Sequence, residues 1–69
     1  MTSDEYRAAL YRLGLTQAAA AALLRVDERT SRRWANGERS IPGPAELALA
    51  LLERFGLPAE FDKRAKAGG

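Results

Sequence analysis

Between Leu15 and Gly37 the chain reads LTQAAAAALLRVDERTSRRWANG, and this stretch has room for only two short helices with a tight turn between them. Asp27 marks the start of the second helix, because its short carboxylate can accept from a backbone amide two or three residues on. Asn36-Gly37 stops it, since glycine tolerates the left-handed backbone of a helix end. The second helix is therefore expected to be about nine residues long. Stepping about 100° per residue from Glu28 sets Glu28, Arg29, Arg32, Arg33 and Asn36 on one arc and Thr30, Ser31 and Trp34 on the other. One arc carries long polar side chains; the other carries the chain's single tryptophan.

The preceding helix opens with Thr16 as its cap and runs through Gln17, five alanines and Leu23-Leu24, so nearly every position is small or apolar. Small residues let another helix cross close by. Leu23 and Leu24 are then expected to be buried with Val26 and Trp34, leaving the arginine arc outward, because so short a chain has nothing to cover it. A short helix, a turn of about three or four residues and a helix with an exposed basic face form a helix-turn-helix pattern.

On these residues the stretch resembles the helix-turn-helix of the phage repressor and Cro family, also called the XRE family. Leu15-Thr16-Gln17 is similar to the family's "LTQ", Ala21 falls where a small residue is needed at the helix crossing, Val26 is the buried turn residue, and Trp34-Ala35-Asn36-Gly37 resembles its "W-x-x-G". The likeness is close over Leu15 to Gly37 and loose over Ser3 to Phe55. It implies an all-α fold, a compact four- to five-helix bundle with a central helix-turn-helix (lambda-repressor-like). Two positions depart from the pattern. Arg25 stands where the family usually has glycine, which implies a left-handed or otherwise strained conformation costing about 1 kcal/mol or more. Ser31 stands where the family usually buries valine or isoleucine; it is expected to bury little and to bond back to a helix carbonyl.

At 69 residues the chain is expected to be one domain, near the size at which a single core is only marginally stabilising. It has no Cys and no His. That excludes a disulfide framework, a zinc site of the usual ligands and Cys- or His-based catalysis, so no cofactor is expected. No apolar run reaches a membrane span, and the opening MTSDEYR is unlike a signal peptide, so a cytoplasmic protein is expected. The formal net charge is only +2, but arginines at 25, 29, 32, 33 and 39 concentrate the positive charge around the second helix.

In chain order, Thr2-Ser3-Asp4-Glu5 reads as a capping box, and Tyr6, Ala9, Leu10 and Leu13 form the buried face of a first helix that Gly14 ends, with Arg7 and Arg12 outside. Tyr11 lies off that stripe and could pack at an edge or stack near a phosphate. Glu38 to Pro44 must be a loop, which Ile41 anchors, with Pro44 at a first helical position. Ala45 to Phe55 is the fourth helix, with Leu47, Ala48, Leu51, Leu52 and Phe55 as its expected inward stripe and Gly56 as its stop. Residues 1–57 are the expected DNA-binding domain. Residues 58–69 are expected to form a short C-terminal helix or tail with Phe61 and Ala65 on one side and a disordered end.

These residues divide into roles. Thr16 and Gln17 begin a helix, where free amides suit a phosphate, and the resemblance implies further phosphate contacts at Asn36, Arg39 and Ser40. Gln17 could instead read a base, and Arg39 could pair with Glu38. Glu28, Arg29, Arg32 and Arg33 are the candidates for base readout, arginine matching guanine N7 and O6 and Glu28 accepting from cytosine N4. Glu28 could also pair with Arg32 one turn on. Leu49, Leu57 and Phe61 fall outside the expected core and are the candidate dimer interface. The expected function is a sequence-specific regulator of transcription, a repressor acting as a homodimer on an inverted repeat of double-stranded DNA. No enzymatic step, membrane or small-molecule effector is expected. The alternative is an antitoxin or protein-interaction adaptor.

Overall fold

A computed structural model describes residues 1–59. Over them the chain is all-α, a small bundle of α1 (Ser3–Leu13), α2 (Gln17–Leu24), α3 (Glu28–Ala35) and α4 (Gly43–Phe55). The starts of the first three helices are fixed by local side-chain chemistry. Thr2 Oγ1 accepts from the Glu5 amide at 3.1 Å while Glu5 Oε1 accepts from the Thr2 amide at 2.7 Å, closing the expected capping box. Thr16 accepts from the Ala19 amide at 3.0 Å, and Asp27 from the Thr30 amide at 3.3 Å and the Thr30 hydroxyl at 2.7 Å. No side chain caps α4; Pro42 precedes it in extended backbone and Pro44 lies in its first turn, so it starts two residues before the expected Ala45.

The ends of α1, α2 and α3 share one geometry. Each is followed by a left-handed residue, Gly14 at φ 71°, Arg25 at φ 62° and Gly37 at φ 77°. In each case the next amide reaches back five residues, Leu15 to Leu10, Val26 to Ala21 and Glu38 to Arg33, all at 2.9 Å. The expected strain at Arg25 is therefore present, in a slot that glycine fills twice elsewhere in the same chain.

The core is built on Tyr6, Leu10, Ala20, Trp34, Ala35 and Leu49, with Leu13, Leu15, Leu24, Val26, Ile41, Ala45 and Leu52 packed around it. Tyr6 meets Trp34 edge-to-face at 5.7 Å and 84°, a favoured aromatic geometry. Ala20 and Ala21 are both buried, so the alanine run does let α3 lie close against α2. Arg7 Nη1 donates to the Ala35 carbonyl at 2.8 Å, tying α1 to the end of α3, and Arg12 pairs with Glu53 at 2.7 Å, tying α1 to α4.

Helix α4 is rotated relative to the sequence expectation. Leu49 is 1% exposed and in the core, whereas Leu47, Leu51 and Phe55 are 60%, 47% and 75% exposed. The reason is that α4 carries two apolar arcs. One comprises Ala45, Ala48, Leu49 and Leu52, the other Leu47, Leu51 and Phe55, and the arc with alanines allows the closer approach to α1. Leu49 is thus corrected from candidate dimer residue to core residue. Tyr11 is 87% exposed and does not pack at an edge. The turns expected beyond Ala59, including the position of Phe61, lie outside the described residues. No helix among the described residues is long and apolar enough to cross a membrane.

Candidate nucleic-acid interface

Helix α3 is eight residues long, and Asp27 at its start and the left-handed Gly37 past its end leave it no room to extend. Its inner side is fixed by burial: Ser31, Trp34 and Ala35 are 0%, 4% and 3% exposed. Its outer side follows from that anchoring. Arg29, Arg32 and Asn36 are exposed, and Glu28 and Arg33 are half-buried at the margin. The division into two arcs is the one read from the sequence, except that Thr30 is only half-buried and Ser31 is wholly enclosed.

Charge on this side is largely uncommitted. Arg32 pairs with Glu28 one turn back, as the spacing suggested. Arg25, Arg29, Arg33 and Arg39 make no ion pair among the described residues. An exposed ion pair such as Glu28–Arg32 is worth well under 1 kcal/mol and would yield readily to a stronger ligand. The cap beneath it is firmer in one respect: hydrogen bonds from the Thr30 hydroxyl and amide hold the Asp27 carboxyl below its ordinary pKa, so its charged form persists further into acid.

The remaining candidates lie at the start of α2 and in the segment that follows α3. Thr16 is exposed, and because its oxygen already accepts from Ala19 its own proton is free to be donated outward. Gln17 is half-buried, and Ser31 Oγ donates to its Oε1 at 2.5 Å, which brings the start of α2 against the middle of α3. Asn36 is exposed and its Nδ2 donates to Glu38 Oε2 at 3.3 Å. Arg39 and Ser40 are exposed in the loop before α4, and Arg39 does not pair with Glu38.

Two residues have a part that the sequence did not disclose. Ser31 makes no bond back to its own helix; it is enclosed between the Tyr6 hydroxyl at 2.6 Å and Gln17. Only the serine on the inward arc of α3 hinted at this, and Tyr6, 25 positions away, gave no sign of being its partner. Of the candidate dimer residues, Leu49 is in the core and Leu57 is half-buried, lining an open cleft of about 550 Å³ with Arg12, Leu13, Leu52, Glu53 and Phe55; Phe61 lies outside the described residues.

Comparison with protein-family models, with curated proteins and with solved structures gives no match.

Proposed function

We propose that this chain is a helix-turn-helix protein of the phage repressor and Cro type, which binds double-stranded DNA sequence-specifically and regulates transcription. The observation that carries the reading is the outer side of α3, where Arg29, Arg32 and Arg33 project from a short helix anchored on its other side by Trp34 and Ser31. In this reading α2, the turn Arg25–Asp27 and α3 are the helix-turn-helix, and α3 enters the major groove. Arg29, Arg32 and Arg33 donate to guanine edges, and Glu28 either accepts from cytosine or holds Arg32 in place. Thr16, Gln17, Asn36, Arg39 and Ser40 take phosphates, which set register without reading sequence. Blocking polymerase at an operator is the simplest mechanism for a chain of this size, and such a role implies the cytoplasm.

One copy reads too little to select a site in a genome, because a helix this short spans about four or five base pairs at about 1 to 3 kcal/mol each. Two copies related by a two-fold axis, with recognition helices about 34 Å apart, double the readout on an inverted repeat. The exposed stripe Leu47, Leu51 and Phe55 is the apolar surface for that pairing, in place of Leu49. The same stripe supports the second reading, an adaptor or antitoxin that binds another protein.

Substitution on α3 distinguishes base contacts from phosphate contacts. Arg32→Ala or Arg33→Ala is expected to cost about 1 to 3 kcal/mol and to relax preference at one base pair, whereas Arg39→Ala weakens all sequences alike. If both α3 variants bind a selected operator as the parent does, the assignment of α3 is wrong.

A further inference from the structure

Tyr6, Ser31 and Gln17 form a hydrogen-bond chain across three helices. The Tyr6 hydroxyl lies 2.6 Å from Ser31 Oγ, and Ser31 Oγ lies 2.5 Å from Gln17 Oε1. Tyr6 and Ser31 are each 0% exposed, and no buried side-chain polar atom among the described residues is left without a partner. Burial raises the Tyr6 pKa, partly offset by the Ser31 bond, so the phenol keeps its proton.

The direction of the chain follows from counting protons. Each hydroxyl carries one, and a primary amide offers either an accepting oxygen or a donating nitrogen. With the Gln17 oxygen inward there are two protons for two contacts: Tyr6 donates to Ser31 and Ser31 donates to Gln17. With the amide reversed there are three protons for the same two contacts, and one hydroxyl proton is left in a dry site without an acceptor, which is costly.

We infer that Ser31, itself enclosed by the Tyr6 hydroxyl, is a positioning residue that holds the Gln17 amide in one orientation, carbonyl inward and NH2 outward, so that Gln17 meets DNA as a donor to a phosphate oxygen. A glutamine that reads adenine must offer both its oxygen and its nitrogen to one base edge. Here the oxygen is turned to Ser31, which decides between the two roles open to Gln17 from sequence. The orientation stands on the hydrogen-bond chain alone; the phosphate contact rests on the DNA-binding reading above.

Two measurements test the two parts separately. By NMR of the free protein, the Tyr6 hydroxyl proton is expected to exchange slowly and to show a cross-relaxation peak to the Ser31 β protons, while the Gln17 side-chain amide protons show none to Ser31. Ser31→Ala removes the hydroxyl that faces Gln17 and is expected to populate both amide orientations, whereas Tyr6→Phe leaves the Ser31 proton still in need of the Gln17 oxygen and is expected to keep the parent's orientation; amide protons facing Ser31 in the parent overturn the orientation. For DNA selected from a random pool, Ser31→Ala and Gln17→Ala are each expected to weaken binding about three- to tenfold. Because they act on one contact, combining them adds nothing further. Urea denaturation confirms that each variant is folded under the binding conditions, with Ser31→Cys, whose thiol is a weaker donor, replacing Ser31→Ala if it is not. A scan of single methylphosphonates along the site is expected to find a position where the parent loses affinity and Gln17→Ala does not. Equal losses from Ser31→Ala with and without Gln17, or a changed base preference in Gln17→Ala, overturn the phosphate contact. If the parent selects no DNA, the DNA-binding reading and the contact fall together, while the NMR result decides the orientation on its own.

Discussion

Leu49 and Leu51 are two positions apart on one helix, yet truncation to alanine should separate them sharply. Leu49 is 1% exposed and packs in the cluster with Tyr6, Leu10 and Trp34, whereas Leu51 is 47% exposed. Leu→Ala at a closed core site costs about 2 to 5 kcal/mol, the transfer of the side chain plus the cavity it leaves. A core of this size supplies only about 3 to 5 kcal/mol in total, so Leu49→Ala is expected to remove most of the stability. With about 4 to 8 °C of melting temperature per kcal/mol in a domain this small, a 3 kcal/mol loss lowers the midpoint by about 12 to 24 °C. Half-burial of Leu51 is worth about 1 kcal/mol at most, so Leu51→Ala should shift the midpoint by only a few degrees. The assay is urea and thermal unfolding followed by helical circular dichroism and by Trp34 fluorescence, since Trp34 is 4% exposed and reports on the core. It is run at a concentration where the parent is monomeric, because pairing through Leu51 would add to its apparent cost. A larger loss from Leu51→Ala than from Leu49→Ala would mean that the other arc of α4 faces inward and that the rotation described above is wrong.

Arg25→Gly is expected to stabilise the fold by about 0.5 to 1 kcal/mol, since glycine avoids the strain of φ 62° but loses more freedom on folding. The check is a raised urea midpoint at an unchanged slope; a lowered midpoint would contradict it. Acid sensitivity should trace to the caps. Asp27 is held below its ordinary pKa first by the Thr30 hydroxyl, and Glu5 first by the Thr2 amide. Groups depressed in the folded state add stability that is complete above their unfolded values, near about 4, and is lost as pH falls through the lower folded values. Asp27→Asn keeps a capping oxygen but removes the charge, so urea midpoints between pH 6 and pH 2 should fall less steeply in the variant than in the parent. Identical profiles would rule Asp27 out as a source of the acid sensitivity.

What was legible in the sequence was local. The caps Thr2, Thr16 and Asp27 bond to residues three positions away, so their chemistry is written within a single turn; the stop at Gly37 follows from glycine's own backbone freedom, and the strain at Arg25 was implied only by the resemblance, which has glycine there. The two sides of α3 were legible because only one of them is apolar. The rotation of α4 was not, because leucines occupy both of its arcs and only α1 and α3 decide which faces inward. Nor was the partner of Ser31 legible, although the spacing set it on the inward arc with Trp34. A serine there is a defect beside apolar neighbours until the Tyr6 hydroxyl arrives from another helix, and nothing in either local stretch announces the other. For the same reason Arg7 read as a plain surface charge, although its head group closes onto the Ala35 carbonyl.

The central claim, that α3 presents an arginine face to a specific DNA sequence, is tested most directly by selecting DNA with the purified protein from a random duplex pool and measuring affinity for the enriched site against salt. An enriched inverted repeat containing G·C pairs is expected, with half-site centres about one helical turn apart. Affinity is expected to fall with salt at a log–log slope of roughly −0.9 for each phosphate neutralised. A pool with no enriched sequence, or binding indifferent to salt, would contradict the claim and favour a protein partner for this chain.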